Sequence, residues 1–278
     1  MLKSKLIRLF RRLVSSEKTP LPIARLVQMA RLGDNVKMRL CNPLRSIPEI
    51  NSNRASFFLH QSNGVSYEER ARHFVMAMEY VMGCCVEGDI AEFGTMTGTT
   101  ARYLAASMEA LDYMDGDNRR RLHLFDSFQG FPKADNTIDL ACPQVVAGHW
   151  TEGECFGIGP RYLKAICTKF IRTERIAIHH GWFKETLPLL PKDQKFGLVH
   201  LDCDLYQSTK EVLDDLFKND RLTDGAMLLF DDWLCSKANP AFGQQKAWNE
   251  ILYTYEPRHT FVGHYANACA KIIVHKSC

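Results

Sequence analysis

The sequence predicts an α/β fold: a doubly wound, mostly parallel sheet of seven strands with an antiparallel last strand, preceded by an N-terminal helical segment. Three observations carry this reading. From about Tyr67 onward, short apolar runs alternate with stretches of helical periodicity, the pattern of a parallel sheet wrapped by helices. Nearly every apolar run ends in an acid or a glycine, as expected where strand ends face a ligand. The two closing runs follow each other with no helix between them, so one of the pair should run antiparallel.

The elements follow in chain order. Residues 1–65 are read as a basic helical segment. Residues 1–45 hold eleven Lys/Arg and two acids, a net of +9, while the whole chain is +3, which leaves about −6 for the rest. In "MLKSKLIRLFRRLV", Leu6, Leu9, Phe10 and Leu13 share one helical face, with Lys5, Arg8, Arg11 and Arg12 largely around it. Such a helix packs on its own domain or on a second subunit, as a homo-oligomer contact. A membrane-surface helix and a transit peptide are the functional alternatives.

Residues 66–278 are read as the ligand-binding domain. "YEERARHFVMAMEYVM" places Phe74, Met78 and Val81 at helical spacing. "GDIAEFG" is a strand, and "TTARYLAASMEALDYM" a helix opened by Thr99 and Thr100, both good cap residues. "RLHLFDSF", "RIAIHHG", "FGLVHLDCD" and "GAMLLFDDW" are strands. "GPRYLKAICTKF", "STKEVLDDLF" and "QQKAWNEIL" are helices. "HTFVGHYANACAKIIVH" is the closing strand pair.

Composition narrows the function classes. At 278 residues, 46% hydrophobic and 24% charged, the chain suits one large globular domain with an accessory segment. No apolar run approaches the roughly 20 residues of a transmembrane helix. The ten cysteines are scattered, with no C-x-x-C pair; this is the usage of a reducing cytoplasm. Nucleic-acid binding is a poor reading, because the body is acidic and the basic segment lacks interleaved aromatics beyond Phe10.

Ligand chemistry is sought at the strand ends. These present Glu92, Gly94 and Gly98, then Asp126 and Ser127, then Gly181 and Trp182, then Asp202 and Asp204, and finally Asp231 and Asp232. Any one such acid can be a helix cap; four strands of five ending in acids is harder to dismiss. In "AEFGTMTGTT" the glycines suit close approach of a ligand to backbone, although G-x-x-x-G is not the G-x-G-x-x-G of a pyrophosphate binder. Glu92 disfavours a phosphate and suits a cationic ligand. Asp126 fits a ribose-diol acceptor.

Together, "GDIAEFGTMTGTTARYLA", "LFDSFQGFP", "HHGWFKETLP", "LVHLDCDLYQSTKEVLDDL" and "GAMLLFDDW…QQKAW" resemble the macrocin O-methyltransferase (TylF-type) family. The resemblance covers roughly residues 65–250. It implies a Rossmann-like fold and metal-dependent methyl transfer from S-adenosylmethionine to a hydroxyl of a small molecule, such as a sugar or natural product. Where the family often has Trp-Arg-Gly-Gly, this chain has Met96-Thr97-Gly98-Thr99.

The candidate cofactor-binding residues are Glu92, Gly94, Gly98, Thr99, Asp126, Ser127, Gly181 and Trp182. By the resemblance, Asp202, Asp231 and Asp232 are the metal ligands. Three converging carboxylates repel one another unless a cation lies between them, and an all-oxygen site suits Mg²⁺. Asp202 is the first candidate for the catalytic base, with Asp204 either a second base or a helix cap. His200 reads as a core histidine, His149 lies in a loop that could cover the site, and His180 borders the adenine. Trp182 or Phe183 could stack on that ring. A metal-dependent hydrolase or hydroxylase on the same scaffold, and a non-catalytic S-adenosylmethionine-binding protein, are the alternatives.

Overall fold

Phe74, Met78 and Val81 recur at helical spacing, and all three are fully buried. They lie on α1 (Arg54–Gly83), the first element of a computed structural model that describes residues 54–115 and 120–276. The basic amphipathic segment, with its readings as a subunit contact, membrane-surface helix or transit peptide, lies outside the described residues. α1 runs unbroken across residues 65 and 66, between which the sequence reading drew the boundary.

Seven strands follow: β1 (Asp89–Phe93), β2 (Leu122–Asp126), β3 (Ile176–His180), β4 (Phe196–Leu201), β5 (Leu222–Phe230), β6 (Arg258–Tyr265) and β7 (Cys269–His275). They form one sheet in the order β3-β2-β1-β4-β5-β7-β6. The first five pair in parallel, while β7 is antiparallel to both its neighbours. This is the mostly parallel seven-stranded sheet with an antiparallel last strand that the alternation of elements predicts. The chain leaves β1 toward β2 on one side and reaches β4 on the other. That reversal opens a crevice above the strand ends.

Helices cover both faces. α1, α2 (Thr99–Leu111) and α5 (Pro160–Cys167) bury Phe74, Leu104 and Leu163 against one side. α7 (Tyr206–Lys218) and α8 (Gly243–Tyr255) bury Leu213, Leu216 and Trp248 against the other. Burying each such side chain contributes about 1.5–3 kcal/mol. The short helices α3 (Thr137–Leu140), α4 (Pro143–Val146) and α6 (Phe183–Thr186) sit in the connections.

One local expectation is corrected. Thr99 and Thr100 do not cap α2. Its N-cap is Gly98, at a left-handed φ of 71°, with no side-chain cap. The Thr99 hydroxyl pairs instead with that of Thr97, 2.9 Å away. Glycine suits this left-handed position, which side chains disfavour, and a Cβ there would also press on Leu163 Cδ1, 2.9 Å away. Among the described residues all the cysteines are free thiols. No described helix is long and apolar enough to cross a membrane.

Candidate functional site

A cavity of about 580 Å³ opens above the C-terminal ends of β1, β2, β3 and β4. Its floor is the turn after β1, where Gly94 adopts φ +88° and a Cβ would fall 2.0 Å from the Asp202 carbonyl oxygen. Only glycine lets the β1 turn and the end of β4 approach this closely. Gly94 N–H donates to Phe125 O at 2.9 Å and Asp202 N–H to Phe93 O at 2.9 Å. The three strand ends are thereby fastened at one point.

On the β2 side the carboxylate of Asp126 knits the floor. Its Oδ2 accepts from Thr95 N (2.8 Å), Thr95 Oγ1 (2.8 Å) and Met96 N (3.1 Å), and its Oδ1 accepts from Phe128 N (2.6 Å). Ser127 turns the chain onward, its hydroxyl accepting from Gln129 N at 3.1 Å. Gly181 N–H donates to Asp126 O at 3.1 Å, which brings Trp182 to the cavity wall.

On the β4 side three acids converge. One carboxylate oxygen each from Asp202, Asp204 and Asp232 lies within 4.8 Å of the others. Asp232 N–H donates to Gln244 Oε1 at 2.9 Å, and Gln244 Nε2 donates to Leu201 O at 2.9 Å, so a buried glutamine of α8 sets the spacing. The first N–H groups of α7 are not left to Asp204 alone. Asp139 reaches them from α3, accepting from Tyr206 N (2.8 Å) and Gln207 N (3.1 Å). Burial pushes the Cys203 thiol well up, and Asp202, Asp204 and Asp232 push it further. The pocket is therefore strongly negative. Three half-exposed oxygen donors at this spacing fit a hard divalent cation.

Asp231 faces elsewhere. Its Oδ2 accepts from Arg70 Nη2 of α1 at 3.0 Å, and its Oδ1 accepts from Cys269 Sγ at 3.4 Å. His200 Nε2 stands 3.7 Å from Asp231 Oδ1, an ion pair rather than a hydrogen bond. His200 Nδ1 meets Glu92 Oε1 at 3.1 Å. A buried chain of alternating charge results: Glu92, His200, Asp231, Arg70. Burial alone would discharge His200, but Asp231 and Glu92 raise it to about 10. Burial likewise opposes the Asp231 charge, yet Arg70 and His200 hold that carboxyl well below the usual range.

The cavity thus brings together Gly94, Thr99, Asp126, Ser127, Gly181, Trp182 and Asp202. Glu92, Gly98, Asp231 and Asp232 do not line it, although Asp232 meets the lining acids Asp202 and Asp204. Glu92 is fully buried beneath the floor and serves His200 instead of a cationic ligand. Gly98 packs on α5. Asp231, grouped with Asp202 and Asp232 in the sequence reading, is held by Arg70, and Asp204 completes the cluster. His200 is indeed buried, but as a charge partner. Arg70 escaped the sequence reading. Its signal is a cation four residues before Phe74, on the stripe that goes on to Ala77, Met78 and Val81.

Comparison with known proteins bears on the family and the fold. Residues 61–254 match the family described as Macrocin-O-methyltransferase (TylF). The chain is 29% identical over 169 residues to an 8-demethyl-8-(2,3-dimethoxy-alpha-L-rhamnosyl)-tetracenomycin-C 4'-O-methyltransferase of Streptomyces olivaceus, covering 59% of this chain and 60% of that one. It is 27% identical over 194 residues to a demethyldecarbamoylnovobiocin O-methyltransferase of Streptomyces niveus, covering 69% and 70%. The match thus spans less than two thirds of the first relative's length. Among solved structures, the calicheamicin methyltransferase CalS11 superposes with a TM-score of 0.60 at 25% identity, covering 86% of this chain and 91% of that one. With the family matched across most of its length, the chain belongs to the macrocin-O-methyltransferase (TylF) family.

Proposed function

We propose that this chain transfers the methyl group of S-adenosylmethionine to a hydroxyl of a sugar or related natural-product acceptor, with the help of Mg²⁺, and that residues 66–278 form the unit that does so. The observation that carries the reading is the convergence of Asp202, Asp204 and Asp232 beside the Gly94 turn. The relatives named above act on natural products by their names, which supports the acceptor class.

The turn at Gly94 leaves backbone accessible to the cofactor. Asp126 holds that turn and borders the ribose, while Trp182 walls the adenine. Asp202 and Asp232 would hold the cation. Asp231 would join them only by giving up Arg70. Bound there, Mg²⁺ would orient the acceptor hydroxyl and lower its pKa. The acceptor oxygen then forms its bond to the methyl carbon as the carbon–sulfur bond breaks, leaving S-adenosylhomocysteine. Asp204, the third member of the cluster, takes the hydroxyl proton. Asp202, the sequence's first candidate for the base, would serve the cation in this scheme.

The test has two arms. S-adenosylhomocysteine should raise the melting temperature; no shift counts against methyl transfer. Exhaustive chelation should abolish turnover of an accepted sugar substrate, and added Mg²⁺ should restore it. Full activity after chelation removes the metal from the mechanism.

A further inference from the structure

Among the described residues lining the cavity, acids outnumber cations: Asp126, Asp135, Asp139, Glu152, Asp202, Asp204 and Glu211 stand against Arg70, Lys133 and Lys184. The cofactor proposed above brings its own anion. Its α-carboxylate is separated from the sulfonium by only two methylenes and the α-carbon. The sulfonium must lie beside the acid cluster, because its methyl group goes to an oxygen held there. The carboxylate is therefore carried close to Asp202, Asp204 and Asp232, whose ionised carboxylates offer it no donor.

The carboxylate needs donors from elsewhere, and the three cationic candidates differ in position. Lys133 follows β2 and Lys184 lies on α6 after β3, both on the far half of the sheet and both exposed. The turn that supports the cofactor, Thr95-Met96-Thr97, carries no charge. Arg70 comes from α1 and reaches the β5 end, where Nη2 donates to Asp231. Its side chain is only 20% exposed, and its Nε is buried with no hydrogen-bond partner. A guanidinium offers five donors, so the Asp231 contact leaves others for a ligand. The Glu92–His200–Asp231 chain behind it holds the head in place.

We propose that Arg70 is the residue that binds the α-carboxylate of the cofactor's methionine moiety, with Asp231 as its anchor. This rests on the cofactor reading given above. It also explains why a cation stands on the apolar stripe of α1.

Calorimetric affinities for S-adenosylhomocysteine and 5′-methylthioadenosine test it, since the second keeps the adenosine and sulfur but lacks the amino acid. Arg70→Gln should weaken S-adenosylhomocysteine about 10-fold or more, the scale of a charge-assisted contact. It should change 5′-methylthioadenosine less than about 2-fold. Arg70→Lys, which keeps a charge beside Asp231, should fall between Arg70→Gln and wild type on the first ligand and match wild type on the second. Equal weakening of both ligands would make Arg70 a structural residue and overturn the proposal, as would no weakening of either. A wild-type protein that binds neither ligand would remove the cofactor reading itself. A variant that retains 5′-methylthioadenosine is thereby shown to be folded.

Discussion

The two halves of the cavity rim use the same residue type to opposite ends. At the β2 end, Asp126 accepts four hydrogen bonds from Thr95, Met96 and Phe128, so its charge is absorbed by the loops it fastens. At the β4 end, Asp202, Asp204 and Asp232 crowd together, and helix α7 takes its cap from Asp139. An acid that ends a strand is thus not one kind of residue. Where backbone N–H groups converge on it, it is architecture with a ligand-facing edge. Where other acids converge on it, like charges are gathered at one point, a setting that suits a cation.

The largest expected effect falls on the crowded half. Asp232→Asn should cut methyl transfer by about a thousandfold or more, since metal positioning and polarisation are worth several kcal/mol. Cofactor affinity, measured by calorimetry, should scarcely move. An equal loss in both would mean that the two halves are not separable. Gly94→Ala tests the seam between them. The new Cβ would meet the Asp202 carbonyl in a left-handed conformation, so about 3 kcal/mol or more of stability should go, read from urea unfolding.

Asp126→Ala should cost about 2–3 kcal/mol of stability, because buried donors of the β1 turn lose their acceptor, and cofactor affinity should fall with it. Asp204→Asn, by contrast, should stay within about 0.5 kcal/mol of wild type in stability or exceed it, since it removes one of three like charges. If Asp126→Ala leaves stability alone and Asp204→Asn lowers it, the two ends of the rim have the opposite roles.

The smallest effect comes from a polar chain away from the rim. Gln194 Nε2 donates to Asp89 Oδ2 (2.9 Å), which meets His123 Nε2 (3.0 Å), and His123 Nδ1 meets His179 Nε2 (3.0 Å). Burial pushes His179 down to about 4, helped by His123 and Arg121. The unfolded chain titrates near 6.5 and so binds more protons between these values. The stability contribution is whole above about pH 6.5 and is lost as pH falls toward 4. His179→Phe should flatten that acid-side slope without touching turnover at neutral pH. An unchanged slope would place the titration elsewhere.

The order of elements was legible in the sequence because strands buried on both faces read as apolar runs and helices as stripes, whatever surrounds them. So were the strand-end acids. Their division of labour was not. Asp231 and Asp232 are adjacent in sequence yet separate in space, because successive side chains at a strand end leave on opposite sides. One turns toward α1 and Arg70, the other toward Asp202. Likewise Asp204 reads as the entry to a helix until Asp139, more than sixty residues earlier in the chain, is seen to occupy that helix's first N–H groups.

The chain alone therefore determined the sheet, its covering helices, the glycine turn and the family it resembles, since each rests on local periodicity or on contiguous motifs. Only the tertiary structure decided which acids meet. It showed that Glu92 is a buried partner of His200 and that Arg70 reaches the rim. Those outcomes depend on which strands and helices become neighbours, and electrostatic partnership is a property of distance in space, to which separation along the chain is no guide.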